Sequence, residues 1–292
     1  MAVLTIIVLF TLFAPALFHT DPHSTSGLQY APPSGKHFFG TDVNGRDMFS
    51  RVVEGARISL LVGLSGALVS FFIGTTYGLI AGYMGGTVDS VMMRLVEILY
   101  AIPRLIIIII ASFVFDPILR EYLAGLHLKL GFGNAAFVIE GITLVGYSKV
   151  LILILALGMI EWLTMARIVR GQVLSLKNQQ FVLAARSLGQ SHTRIVTRHL
   201  LPNLIGIVVV YLTLTIPAVI LDESFLSFLG LGIQAPQASW GSLLAEGAQV
   251  INPIRSYWWL LGYPAAVMSI TLLALNFLGD GLRDALDPRQ RR

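Results

Sequence analysis

Five residues that ionise or hydrogen-bond strongly, Arg104, Glu161, Asp222, Glu223 and Asn276, lie inside or at the ends of stretches that are otherwise apolar. Charge at membrane depth is expensive, so such residues pair with one another or face a wet cavity. Two kinds of chemistry follow. One is a buried ion pair, in which a carboxylate meets a neighbouring arginine. The other is contact with a solute passing between helices. The near-terminal places of Glu161, Asp222 and Glu223 favour the pair, because burial costs least there. The sequence assigns no residue to a solute path.

Catalytic chemistry finds no support. No G-x-x-x-x-G-K-[ST] loop is present to cradle a nucleotide phosphate, and there is no H-E-x-x-H or G-x-S-x-G. The stretch "DVNGRD" (Asp42–Asp47) bears a faint likeness to a calcium loop, but its glycine is two places early and no glutamate stands twelfth. Asn44-Gly45 reads instead as a tight turn. His19, His23, His37, His127, His192 and His199 are scattered, and there is no cysteine. No catalytic residue, metal site or cofactor is therefore assigned, and the chain is expected not to be an enzyme.

The elements that must hold these residues are membrane helices. The chain is 55% hydrophobic and 12% charged, with a mean hydropathy of +0.77. A water-facing domain carries about 25% charged residues. Net charge is +4, and the basic residues are not interleaved with exposed aromatics, so nucleic acid is not indicated as a partner. A span needs about 20 mostly apolar residues. The pattern predicts an all-α, polytopic protein with spans at Val3–Phe18, Ile58–Ala81, Leu95–Phe115, Val150–Ala166, Leu204–Leu221 (interrupted by Pro217) and Trp258–Leu278. A weaker apolar piece, Ala135–Val145, reads as a re-entrant or interfacial helix. Val3–Phe18 has no basic residue before it and no clear small-x-small site after it, which disfavours a cleaved signal peptide. The expected division is 1–20 for the first helix, 21–57 for a polar outer segment, and 58–292 for the core. The glycines of "GTTYGLIAGYMGG" read as a helix-packing face. Trp258 and Trp259 read as an outer interface anchor.

Orientation follows from the lysines and arginines of the loops. The Thr164–Asn203 stretch holds six basic residues and no acid, and the tail "RDALDPRQRR" is rich in arginine. Both are expected to be cytoplasmic, and with an even number of spans so are both termini.

Within that stretch, Phe181, Ala184, Ala185 and Leu188 recur at the spacing of one helix face. Gly189 can take the left-handed conformation that stops a helix. Ser191 can cap the next helix, Ile195, Val196 and Leu200 give it an apolar stripe, and Pro202 is expected to end it. The result is a helix–glycine–helix hairpin, with Ala184 and Ala185 keeping its presented face thin. Pattern alone fits two partners equally: a docked protein, or the anionic inner leaflet of the membrane.

The hairpin resembles the signature loop of membrane (permease) subunits of binding-protein-dependent ATP-binding-cassette importers. Ala184, Ala185, Gly189, Leu201 and Pro202 fall on its register, while Leu183 stands where glutamate is expected and His199 where isoleucine is expected. Longer stretches resemble the second membrane subunit of the peptide and nickel importers. They are "HFFGTDVNGRDMFSRVVEGARISL" (His37–Leu60), "ESFLSFLGLGIQAPQASWGSLLAEG" (Glu223–Gly247) and "NFLGDGLRDALDPR" (Asn276–Arg289). Together the resemblance covers most of 37–292.

The resemblance implies a type I importer permease fold in a bacterial inner membrane, with a coupling loop at 171–202. It implies ATPase-coupling roles for Ala184, Ala185, Gly189, Leu201 and Pro202. The partners it implies are a second homologous permease subunit, two cytoplasmic ATP-binding subunits and a periplasmic or lipid-anchored solute-binding protein. Membrane lipid is the remaining partner. The expected solute is a peptide, with nickel as the alternative. A self-sufficient secondary transporter would need inverted repeats and midplane ion sites on broken helices, and the sequence shows neither.

Overall fold

The structure is a computed structural model that describes residues 2–18, 21–129, 138–139, 142–143, 147–251 and 255–286. Ten α-helices follow one another among these residues: α1 (Ala2–Phe18), α2 (Met48–Met84), α3 (Gly86–Ala101), α4 (Arg104–Lys129), α5 (Ser148–Leu176), α6 (Gln180–Ser187), α7 (His192–Ile195), α8 (Leu201–Phe228), α9 (Trp240–Gln249) and α10 (Trp258–Leu286). A two-residue strand pair, β1 (Val138–Ile139) and β2 (Ile142–Thr143), lies between α4 and α5.

All six predicted apolar stretches are helical. Four helices, at 48–84, 148–176, 192–228 and 258–286, are long and apolar enough to cross a membrane. α1, at 17 residues, is at the lower limit of that length. The stretch expected as one straight span, Leu95–Phe115, is instead broken. α3 and α4 meet at 86° across Ile102-Pro103. Proline disfavours the helical conformation in the residue before it, and Ile102 is extended, at φ −86° and ψ 131°. Pro217, by contrast, does not interrupt its helix: α8 runs through it, buried. A proline inside a membrane helix is tolerated where neighbouring groups satisfy the freed backbone. The Ala135–Val145 helix is not seen either. Its described residues are the two strands, β-branched at all four positions and therefore suited to extended backbone. The rest of that stretch lies outside the described residues.

The centre of the bundle is α2 against α5, with α8 closing one side. Gly74, Gly78 and Gly82 recur every four residues along α2, and α5 lies directly on them. A Cβ at Gly74 would sit 2.6 Å from Met165 Cβ, and one at Gly82 would sit 2.8 Å from Val173 Cβ. Gly158 returns the contact from α5 onto Val69. Contacts advance together along both helices, so the pair is parallel. Lipid tails are as apolar as leucine, so helix association in a membrane relies on close van der Waals approach, which small residues permit. The packing reading of "GTTYGLIAGYMGG" therefore holds. Ile58, Val62, Leu153, Leu157 and Val219 fill the space between α2, α5 and α8.

α2 starts at Met48, ten residues before the expected Ile58. Its first turns carry Arg51, Glu54 and Arg57, which read as loop residues. Asp47 caps the helix by accepting from Ser50 N at 2.9 Å. Arg51 is almost fully buried, at 1% exposure. Its guanidinium donates to Asp42 Oδ2 at 2.8 Å and to both oxygens of Glu246, at 2.9 and 2.5 Å. Asp42 also accepts from the amides of Asn44 and Arg46, which makes "DVNGRD" a turn held by one carboxylate. The polar segment after α1 is thereby fixed over α9 and α10, with Met48, Val52, Leu243, Trp259 and Leu260 beneath it. Trp259 belongs to this buried cluster and is no interface anchor; Trp258 is exposed.

Candidate coupling site

The hairpin is built by two local signals. α6 closes with the N–H of Gln190 on Ala185 O at 3.1 Å and the N–H of Gly189 on Arg186 O at 2.9 Å. This double closure needs a left-handed residue, and Gly189 has φ +73°. α8 ends in the same way at Gly230, φ +76°. Ser191 then caps α7 by accepting from Arg194 N at 3.4 Å.

Pro202 does not terminate the second helix. The run from His192 continues into α8 through a π turn at Val196–Leu200, in which Leu201 N–H donates to Val196 O. The wider turn accommodates a proline ring that an α turn would press against the carbonyl four residues back. His199 adds a link across the hairpin, with Nε2 2.9 Å from Gln190 Oε1.

The face assignment of α6 also changes. Val182 and Ala185 are the buried positions, packed with Val169, Val173, Ile195 and Leu204. Phe181, Ala184 and Leu188 are exposed, Leu188 at 80%. Ala185 thus anchors the hairpin to the bundle instead of lying on the presented face. Ala184, Gly189, Leu201 and Pro202 are exposed. Leu183 and Leu188 are two large apolar side chains left in the open; the periodicity placed Leu188 on the presented stripe but did not single out Leu183. The signal for Leu183 is compositional: leucine on the surface of a polar, basic loop.

Beside the hairpin lies a cavity of about 800 Å³ between the end of α2, the start of α3 and the end of α5. Tyr83 hydroxyl is 2.7 Å from His192 Nδ1, and the Arg186 guanidinium stands 5.6 Å from the Tyr83 ring centre. Lys177 Nζ donates to Gly82 O at 2.9 Å, placing a cation on the C-terminal carbonyls of α2.

Two of the three span carboxylates, Glu161 and Asp222, are paired with an arginine. Arg104, at the start of α4, donates to Asp222 Oδ1 at 2.8 Å and to Glu161 Oε1 at 3.4 Å. Its own side chain remains 55% exposed. Glu223 is fully buried and accepts from Ser59 at 2.9 Å and Ser227 at 2.7 Å. Ser227 Oγ in turn accepts from Ile233 N, so Glu223 ties the turn after α8 back onto α2. Asn276 donates to the carbonyl of Leu272 in its own helix.

The family model described as "Binding-protein-dependent transport system inner membrane component" matches residues 74–292. The chain is 49% identical over 292 residues to the oligopeptide transport system permease protein OppC of Escherichia coli (strain K12), covering 99% of this chain and 85% of that one. It is 44% identical over 264 residues to the dipeptide transport system permease protein DppC of Bacillus subtilis (strain 168), covering 90% and 72%. Among solved structures, it resembles a chain of the MetNI methionine ABC transporter in an inward-facing conformation. There the TM-score is 0.57 at 20% identity, covering 82% of this chain and 98% of that one, a likeness of fold alone.

Proposed function

Because the chain belongs to the binding-protein-dependent transport system inner membrane components, we propose that it is the second permease subunit of an ATP-driven peptide importer. A periplasmic or lipid-anchored binding protein delivers the solute. This chain and a homologous permease subunit form the path between them. Two cytoplasmic ATPases dock on the hairpins and close on ATP, and the spans follow. ATP acts only through contacts that differ between the open and closed states. Peptide as the solute is supported by the names of the relatives, oligopeptide and dipeptide permeases.

The observation that carries the reading is the hairpin itself. Its inner residues, Val182, Ala185, Ile195 and Leu200, are packed onto α5 and α8. Its outer residues, Leu183, Ala184 and Leu188, are free to meet a partner. A push on the outer face therefore reaches two spans through packed contacts. In this arrangement both termini are cytoplasmic, 21–57 faces the binding protein, and 171–202 is the coupling loop.

Gly189→Val tests it. Nothing lies within 4 Å of the Cβ that would be added, so the effect is backbone strain alone. A left-handed conformation costs an L-residue about 1–2 kcal/mol. At a docking surface about 1.4 kcal/mol is tenfold in an equilibrium constant. The variant is expected to insert normally but to bind the ATPases about tenfold more weakly, or to hydrolyse ATP without uptake. Ala184→Trp should act similarly by bulk. Parental ATPase association, stimulated hydrolysis and uptake in both variants would remove the coupling role.

A further inference from the structure

The cavity beside the hairpin is open to a ligand of a particular shape and charge. One wall is polar and cationic, made by Arg186, His192 and Tyr83. The other is apolar, made by Ile80, Met84 and Val88, all exposed. That apolar wall continues along the outward face of α3 through Val91 and Leu95, also exposed. A chain lying in the hydrocarbon layer can therefore enter without leaving an apolar surface. The Arg186 cation is uncompensated: it has no ion-pair partner among the described residues, and the hairpin contains no acid. The neighbouring carboxylate, Asp89, is occupied by two N–H groups of Arg170, at 2.5 and 2.6 Å.

We propose that this cavity binds one anionic phospholipid of the inner leaflet, its phosphate on Arg186 and His192 and one acyl chain against Ile80, Met84 and Val88. In the tautomer in which the Tyr83 hydroxyl donates to His192 Nδ1, the imidazole proton is on Nε2 and can be donated to a phosphate oxygen. Basic pockets at the cytoplasmic ends of membrane helices suit anionic head groups. The ligand would touch both the end of α2 and the hairpin, so its presence would stiffen the joint through which the ATPases act. The proposal rests on the transport reading only for the side of the membrane on which the hairpin lies.

The test is native mass spectrometry of the assembled transporter after incubation with phosphatidylglycerol or phosphatidylcholine. The parent is expected to retain phosphatidylglycerol in preference to phosphatidylcholine. Arg186→Gln should lower its occupancy about fivefold, the effect of one basic charge near an anionic surface. Val88→Trp, which fills the apolar wall and leaves every charge in place, should lower it by a similar factor. Equal retention of the two lipids by the parent overturns the proposal and needs no variant. So does loss in Arg186→Gln with none in Val88→Trp, which means surface charge alone, and so does the reverse, which leaves the phosphate unassigned. Parental occupancy in both variants overturns it too. The ATPase subunits are read in the same spectra. Their failure to associate counts against the transport reading and leaves the lipid result standing.

Discussion

Gly78→Leu is expected to lower sharply the yield of folded chain in the membrane. A Cβ at Gly78 would run into the carbonyl oxygen of Ala166 and stand 2.9 Å from Val169 Cβ and 3.0 Å from Arg170 N. Two of those atoms are backbone, so no rotamer change relieves the contact. Extra carbons forced into a packed core cost about 1–3 kcal/mol, occasionally more, and a leucine against backbone belongs at the upper end. At about 3 kcal/mol the folding equilibrium constant falls roughly a hundredfold, which leaves the chain far more open to misassembly and degradation. The same distance that excludes leucine is the source of the helix attraction, so separating α2 from α5 also forfeits the Gly74 and Gly82 contacts. Gly171→Ala is the matched control. It lies on α5 with nothing within 4 Å of an added Cβ, and alanine is the better helix former by about 1 kcal/mol. The readout is the yield of monodisperse chain extracted from membranes. Normal yield from Gly78→Leu would mean that the two helices do not meet along this seam.

Arg51→Leu should release the polar segment that covers α9 and α10. Arg51 joins three parts of the chain distant in sequence: the turn at Asp42, the first turns of α2, and Glu246 on α9. Breaking a buried ion pair by removing one partner costs about 3–5 kcal/mol, because the other charge is left behind. Here Asp42 keeps Arg46, whose Nε donates at 2.7 Å, so the lower figure applies. Opening by about 3 kcal/mol raises the exposed population roughly a hundredfold. Trypsin cleavage at Lys36 or Arg46 should accelerate accordingly while the spans stay intact. Arg51→Lys should fall between, since an ammonium cannot match both oxygens of Glu246 with a planar fork. An unchanged cleavage rate in Arg51→Leu would show that aromatic packing, such as Phe39 on Tyr263 with ring centres 4.0 Å apart, holds the segment unaided.

The helices were legible because an apolar run of about 20 residues has few other fates. The hairpin's turn was legible because Gly189 and Ser191 act through their own backbone and side chain, within four residues. The face of α6 was not. Eight residues make barely two turns, and Phe181, Ala184, Ala185 and Leu188 form as good a stripe as Val182 and Ala185. Only the position of α5 and α8 decides between them. The early start of α2 was hidden for a similar reason. Arg51 reads as a loop residue until Glu246, 195 positions away, is seen to receive it. The bend before α4 did carry a signal, since Ile102 precedes a proline, but the apolar run on either side masked it. The Arg104–Asp222 pair was foreseeable in kind, a span carboxylate with a neighbouring arginine, though not in its members.

The central claim, that the hairpin is a cytoplasmic docking surface for ATPase subunits, meets its most direct test at Leu188. The chain has no cysteine, so Leu188→Cys supplies a single thiol at the most exposed apolar position of the hairpin. The measurement is its labelling rate with a membrane-impermeant thiol reagent, in right-side-out and inside-out vesicles, with and without the ATPase subunits. The account predicts labelling only in inside-out vesicles, slowed about tenfold or more when the ATPases are bound, as burial of the thiol at an interface with about 1.4 kcal/mol of net association requires. Labelling from the outside, or an inside-out rate indifferent to the ATPases, would contradict it.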